Sequence, residues 1–253
     1  MEARIREKGL IFNSEMVRAI LDGRKTQTRR IMKVQPSEDF TPMNMALETD
    51  YKARWYTPGV VDKDGYLQPV SKEVFGVSNE NEGYSCPFGA VGNRIWVREA
   101  FRVHSRATDV ATLVYKASER NSWTEQTHRV PVAVCNKPAT PEKWTPSLHM
   151  PRWASRILLE ITDVRVERLN AISPEDAESE GLERTNFTGF GDEPGLPSYP
   201  EPDVYFDPLK KQWKEYPPEA FAGLWESIYG EGSWKANPWV WVISFKRVEG
   251  GAA

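Results

Sequence analysis

The seven residues Trp239-Val240-Trp241-Val242-Ile243-Ser244-Phe245 constrain the fold more than any other stretch, because they are apolar at almost every position. A strand with one wet face alternates apolar and polar residues, whereas one covered on both faces reads as a continuous apolar run. Asn237-Pro238 just before it is a turn signal. The run therefore predicts a central strand with packed layers on both sides.

The layers must come from a chain of 253 residues, long enough to bury a sizeable core as one domain. Leu10-Ile11-Phe12 reads as a short buried strand. Asn13 or Ser14 caps a helix to about Asp22, with Met16, Val17, Ile20 and Leu21 on one face and Gly23 as the stop. Ile95 to Val103 reads as one strong strand after the turn Gly92-Asn93-Arg94, with Ile95, Val97, Glu99 and Phe101 on one face and Trp96, Arg98 and Arg102 on the other. Ala111 to Lys116 and Val130 to Val134 are further strands. Arg156 to Leu169 is the longest, broken at Thr162-Asp163. Ser173-Pro174-Glu175-Asp176 carries an N-cap, a proline at the first helical position and an acid at the third, so a short helix follows and stops at Gly181. A last helix begins at Pro217-Pro218-Glu219, its apolar face being Phe221, Leu224, Trp225 and Ile228.

Two stretches, about 37–91 and 184–216, lack a sustained period and are rich in Gly, Pro and acids; both read as insertions, the first packed on the domain without its own core and the second a surface loop. The tail from Glu249 is expected to fray. The order of elements suits a single α+β domain, mainly β, built as a small curled sheet or β-barrel with helices at its ends.

Composition restricts the functional classes. No apolar run approaches the roughly 20 residues of a membrane-spanning helix, and the first eight residues lack the apolar core of a signal peptide, so a cytoplasmic protein with no membrane partner is expected. Cys86 and Cys135 are too isolated for a disulfide framework or a zinc site; no metal or cofactor is expected. The net charge of −3 hides clusters of cations: Arg18, Arg24, Lys25, Arg29, Arg30 and Lys33 early, Arg94 to Arg106 later, then Arg152 and Arg156. Acids gather between Glu175 and Asp207. This pattern suits a basic cleft on an acidic protein.

The densest cluster is Gly23-Arg24-Lys25-Thr26-Gln27-Thr28-Arg29-Arg30. Read as a strand, it puts Thr26, Thr28 and Arg30 on one face, opposite Gln27 and Arg29, with Lys25 at the strand's start. Glu99 on an apolar face needs a cationic partner. The proline-rich segment Trp144 to Arg156, with His149, Arg152 and Trp153, is irregular and suits the wall of a binding site.

Gly23-x-Lys25-x-x-Thr28-x-Arg30 after a helix, Gly92-Asn93-Arg94-Ile95-Trp96-Val97, Ala177-Glu178-Ser179-Glu180-Gly181 and the closing strand resemble the ASCH domain, a branch of the PUA-like β-barrels associated with RNA. The tryptophan-rich layout with insertions resembles its phage and prophage members. Many ASCH domains carry Glu where Thr28 stands and are taken as RNA-binding modules. A compact bacterial group with Lys-x-x-Thr-x-Arg instead hydrolyses N4-acetylcytidine to cytidine and acetate. The resemblance implies catalytic roles for Lys25, Thr28 and Glu180, with Glu178 as the alternative to Glu180. Arg30, Trp96, Arg98, Glu99, His149, Arg152 and Trp153 are then expected to bind a modified nucleoside or RNA. Thr28 attacks the acyl carbon with Lys25 as base, or positions a water that does so. A non-catalytic RNA reader is the alternative, or a ribonuclease, for which His149 with Lys25 is the only acid–base pair on offer.

Overall fold

The continuous apolar run does become the central strand. In a computed structural model, which describes residues 5–61, 63–64, 67–69, 72–185 and 204–248, it forms β16 (Trp239–Arg247). In chain order the preceding elements are β1 (Glu7–Ile11), α1 (Ser14–Leu21) and β2 (Gln27–Ile31). The first insertion contributes β3 (Arg54–Tyr56), β4 (Gly59–Val61), β5 (Leu67–Pro69), β6 (Val74–Ser78) and β7 (Gly83–Ser85). Next come β8 (Arg94–Arg98), β9 (Phe101–Arg106), β10 (Val110–Tyr115), α2 (Trp123–Gln126), β11 (Thr127–Pro131), β12 (Leu158–Arg168) and α3 (Pro174–Ser179). Then follow β13 (Arg184–Thr185), β14 (Val204–Asp207), β15 (Gln212–Lys214) and α4 (Pro217–Tyr229).

The main sheet runs β1-β8-β12-β16-β2, with β1 parallel to β8 and every other pair antiparallel. Alternation along β16 separates two cores. Trp239, Trp241, Ile243 and Phe245 enter the first, with Phe12, Val17, Ile20, Ile95, Val97 and Ile161; Val240 and Val242 enter the second, with Leu169, Ala177, Phe221 and Trp225. A third core gathers Phe101, Val103, Leu113, Tyr115 and Met150 around the sheet β11-β10-β9.

The expected barrel is not closed. Among the described residues no backbone ladder joins the edge strands β1 and β2. The connecting helix α1 occupies the gap, where it inserts Val17 and Ile20 into the first core. The Arg30 guanidinium bridges the two edges instead, donating to the Ile11 carbonyl at 2.8 Å and lying 5.3 Å from the Phe12 ring centre. Being an edge strand, β1 is only half-covered; Ile11 is exposed and Phe12 alone is buried.

The run from Ile95 to Val103 is two strands rather than one. It breaks at Glu99 and Ala100, where the chain leaves the main sheet for the third core. Glu99 is buried there and paired through both oxygens with Arg156, at 2.9 and 3.0 Å. Residues 51–53 of the first insertion lie along β12 beyond the end of β8, through Ala53 N–H to Val164 O and Val166 N–H to Tyr51 O. Phe40 and Val77 join the first core. Part of the second insertion is ordered sheet, β13-β14-β15, with Tyr205 in the second core; its residues 186–203, like the tail from Glu249, lie outside the described residues.

Candidate functional site

Two capped helices set the ends of the GRKTQTRR segment. The Asn13 side chain accepts from Met16 N–H at 2.8 Å, α1 ends at Asp22, and Gly23 takes φ +77°, which turns the chain towards β2. On the other side, Ser173 caps α3 through Asp176 N–H, Pro174 occupies its first turn and Glu180 its C-cap. Gly181 follows with φ +87°. A Cβ at Gly181 would stand 2.8 Å from both Ala19 Cβ and Lys25 Cβ. Glycine therefore lets the end of α3 press against α1 and the approach to β2, where Thr26 N–H bonds Ser179 O at 2.9 Å.

This approach joins Lys25 to Glu180, 155 residues apart in the chain. The Lys25 ammonium donates to Glu180 Oε2 at 2.5 Å and to the Glu180 carbonyl at 2.8 Å. The Lys25 side chain is 0% exposed and that of Glu180 4%. Burial pulls Lys25 below the usual lysine range, and the nearby Arg30 and Arg29 act in the same direction against the opposing pull of Glu180. Arg24 donates to the next two carbonyls, Gly181 O and Leu182 O, so the end of α3 is clasped by successive cations.

Gln27 and Arg29 share the Lys25 side of β2. Arg29, also 0% exposed, donates to Gln27 Oε1, Glu180 Oε1, Glu167 Oε2 and Asp176 Oδ2. Arg165 closes the network from outside through Glu167 and Asp176. Thr28 faces the other way. It pairs in register with Ile243, and Arg29 with Val242, which places Thr28 in the first core and Arg29 towards the second. Thr28 is buried, and its hydroxyl makes no hydrogen bond to Lys25 or Glu180.

The other expected residues share no hydrogen bond, ion pair or ring contact with this pair. Arg30 spans β1 and β2. Trp96 and Arg98 stack on the outer side of β8, 5.4 Å from guanidinium to ring centre, and Arg98 donates to Leu148 O. Glu99 belongs to Arg156, which also covers Tyr115 at 4.0 Å; burial holds Glu99 above the usual carboxylate range against that partner. Arg152 pairs with Glu7 at 2.8 Å, and Trp153 packs edge-on to Phe101. His149 is exposed on a short turn, so the His149–Lys25 pair required for a nuclease is not assembled. Glu178 takes the Tyr205 hydroxyl rather than Lys25.

Of the pair, Glu180 is the member that reaches a cleft. A cleft of about 140 Å³ is lined by Glu180 with Met16, Arg24, Leu182, Phe206 and Leu224. A larger one of about 750 Å³ shares Arg18 and Arg24 with it and adds Lys116 and Arg120, interleaved with Glu15, Asp22 and Glu119. Sequence reading singled out none of Gln27, Arg29, Glu167, Asp176 or Phe206 as site residues. The alternation of charge with valine at Val164-Arg165-Val166-Glu167 marks a polar strand face, but nothing local in the sequence says that this face is covered. Comparison of the chain with models of protein families, with curated proteins and with solved structures finds no match.

Proposed function

We propose that the protein hydrolyses an acylated nucleoside, with N4-acetylcytidine as the reference substrate, and that the Lys25–Glu180 pair handles the protons. The observation that carries this reading is the pair itself: a desolvated lysine in a 2.5 Å hydrogen bond to the carboxylate of Glu180, a residue that lines a cleft. Such a pair has two forms, ammonium with carboxylate or amine with acid, whose balance burial shifts. The small cleft is below the roughly 300–1,000 Å³ of a drug-sized ligand site, so it takes an acylated base edge against Phe206, leaving the sugar for the larger groove.

Water then attacks the acyl carbon. Its oxygen bonds to that carbon, its proton passes to the pair, the carbon–nitrogen bond breaks, and the amine leaves with a proton returned by the pair, giving cytidine and acetate. What supports water over Thr28 as the attacking group is the placement of Thr28 on the opposite strand face with no hydrogen bond to either partner. Thr28 enters this reading through the ASCH resemblance alone.

The test is incubation of purified protein with N4-acetylcytidine, following cytidine by chromatography. Lys25→Ala and Glu180→Gln are expected to lose on the order of 10²–10⁴ in rate, and Thr28→Ala far less. Absence of turnover by the folded wild-type protein refutes the proposal. The mixed-sign groove with Arg18, Arg24, Lys116 and Arg120 favours a second reading, an RNA reader without chemistry. That reading expects RNA affinity that falls steeply with salt and is unchanged in Glu180→Gln.

A further inference from the structure

We infer that Arg29 is the positioning residue of the Lys25–Glu180 pair: its guanidinium holds the second oxygen of Glu180 so that the first is presented to the Lys25 ammonium. The functional meaning of this inference rests on the hydrolase reading; its geometry does not. Glu180 Oε2 is 2.5 Å from Lys25 Nζ, and Oε1 is 3.4 Å from Arg29 Nη1. The same Nη1 is tied to Gln27 Oε1 at 2.5 Å, while Nη2 bonds Glu167 Oε2 and Asp176 Oδ2, each at 2.9 Å.

The guanidinium is held through both terminal nitrogens, while its buried Nε has no hydrogen-bond partner among the described residues. The Phe221 ring lies 5.9 Å from its central carbon. Gln27 Nε2 reaches round to Asp176 Oδ1 at 3.0 Å, and Arg165 holds Glu167 and Asp176 from outside. Lys25, Arg29 and Arg165 thus balance Glu180, Asp176 and Glu167 in one connected lattice, with Arg30 the further cation acting on Lys25. A planar fork with donors on both arms can serve inner and outer carboxylates together, which a point-like ammonium cannot.

Arg29→Lys separates positioning from charge balance, because it keeps the charge and loses the fork. If Arg29 positions Glu180, the Lys25 carboxylate contact loosens, and the titration of Lys25 followed by heteronuclear NMR moves to lower pH. The kcat for N4-acetylcytidine falls by about 10–100-fold with KM nearly unchanged, as expected for a misplaced proton-handling group, and the pH profile moves with Lys25. If Arg29 only neutralises Glu167 and Asp176, the Lys25 titration stays put. Should Arg29→Lys fail to unfold cooperatively, Gln27→Met replaces it: Arg29 remains, but the acceptor that aims Nη1 is gone, and a smaller movement in the same direction is expected. A Lys25 titration in the folded variant that superimposes on wild type overturns the inference. A wild-type protein without hydrolase activity overturns the preceding reading instead, and the titration still decides the role of Arg29.

Discussion

Glu180→Gln keeps the shape of the side chain and removes the counter-ion of Lys25. Because the lysine side chain is 0% exposed, water cannot rehydrate the ammonium unless the end of α3 lifts away. Losing one partner of a buried pair costs about 3–5 kcal/mol. Arg29 makes the effect one-sided: Glu180→Gln leaves two buried cations, whereas Lys25→Met leaves Glu180 with Arg29 at 3.4 Å, so the latter should cost less, about 1–3 kcal/mol. The double variant keeps a buried amide, so it should cost about 2–5 kcal/mol rather than the roughly 4–8 of the two singles added, a coupling of about 2–3 kcal/mol.

Urea unfolding followed by the fluorescence of the buried Trp239 and Trp241 measures this. With a slope of about 2–3 kcal/mol/M, Glu180→Gln should move the midpoint down by about 1–2 M. The deficit should shrink at alkaline pH. Burial has already lowered Lys25 in the folded chain, so between its folded value and the ordinary lysine value of 10.5 the unfolded chain binds more protons and stability rises with pH. Without Glu180 that window widens towards neutrality. Additive single variants, with Glu180→Gln within about 0.5 kcal/mol of wild type, would refute the pair and everything built on it.

Gly181→Ala must place a Cβ 2.8 Å from Ala19 Cβ and Lys25 Cβ at a left-handed φ; a loss of about 2–4 kcal/mol is expected in thermal melts, with loss of hydrolysis as α3 shifts. For Asp176, burial pushes the carboxyl up, but Gln27, Arg29 and Arg165 together outweigh it and hold it below the usual range. Its contribution to stability is therefore present above the ordinary aspartate value of 3.8 and lost as pH falls through the folded value; Asp176→Asn should flatten that part of a plot of urea midpoint against pH. Burial pushes the Cys86 thiol up to about 11. Alkylation of Cys86 by iodoacetamide at neutral pH should therefore be slow in the folded protein and accelerate in urea, and rapid stoichiometric labelling of the native protein would contradict that environment.

What was legible in the sequence was local. Asn13, Gly23, Ser173, Pro174 and Gly181 act through their own backbones, and both helices end where these residues place the ends. The central strand was legible because β16 is covered on both faces. The partner of Lys25 was named only through the ASCH resemblance, since no spacing rule relates residues 155 apart. Three features met non-local physics. Ile95 to Val103 has an unbroken β pattern, yet Glu99 turns inward to Arg156 and the chain changes sheets. The expected binding residues found other partners, Trp96 with Arg98 and Arg152 with Glu7, away from the lysine. Gln27 and Arg29 read as a face with no role of its own because their cover, α3 and α4, comes from more than 140 residues downstream.

The strand order has a temporal corollary. The only sheet neighbour of β2 among the described residues is β16, the last strand of the chain, and β16 in turn reaches the rest of the sheet through β12. On a ribosome, Lys25 therefore emerges early and waits for its lattice until residues beyond 239 are free to insert between β12 and β2. A nascent chain lacking that strand presents the cations of the Gly23–Arg30 segment without their sheet partner, so the Lys25–Glu180 lattice should assemble in a late step that closes the long loop from β2 to β16.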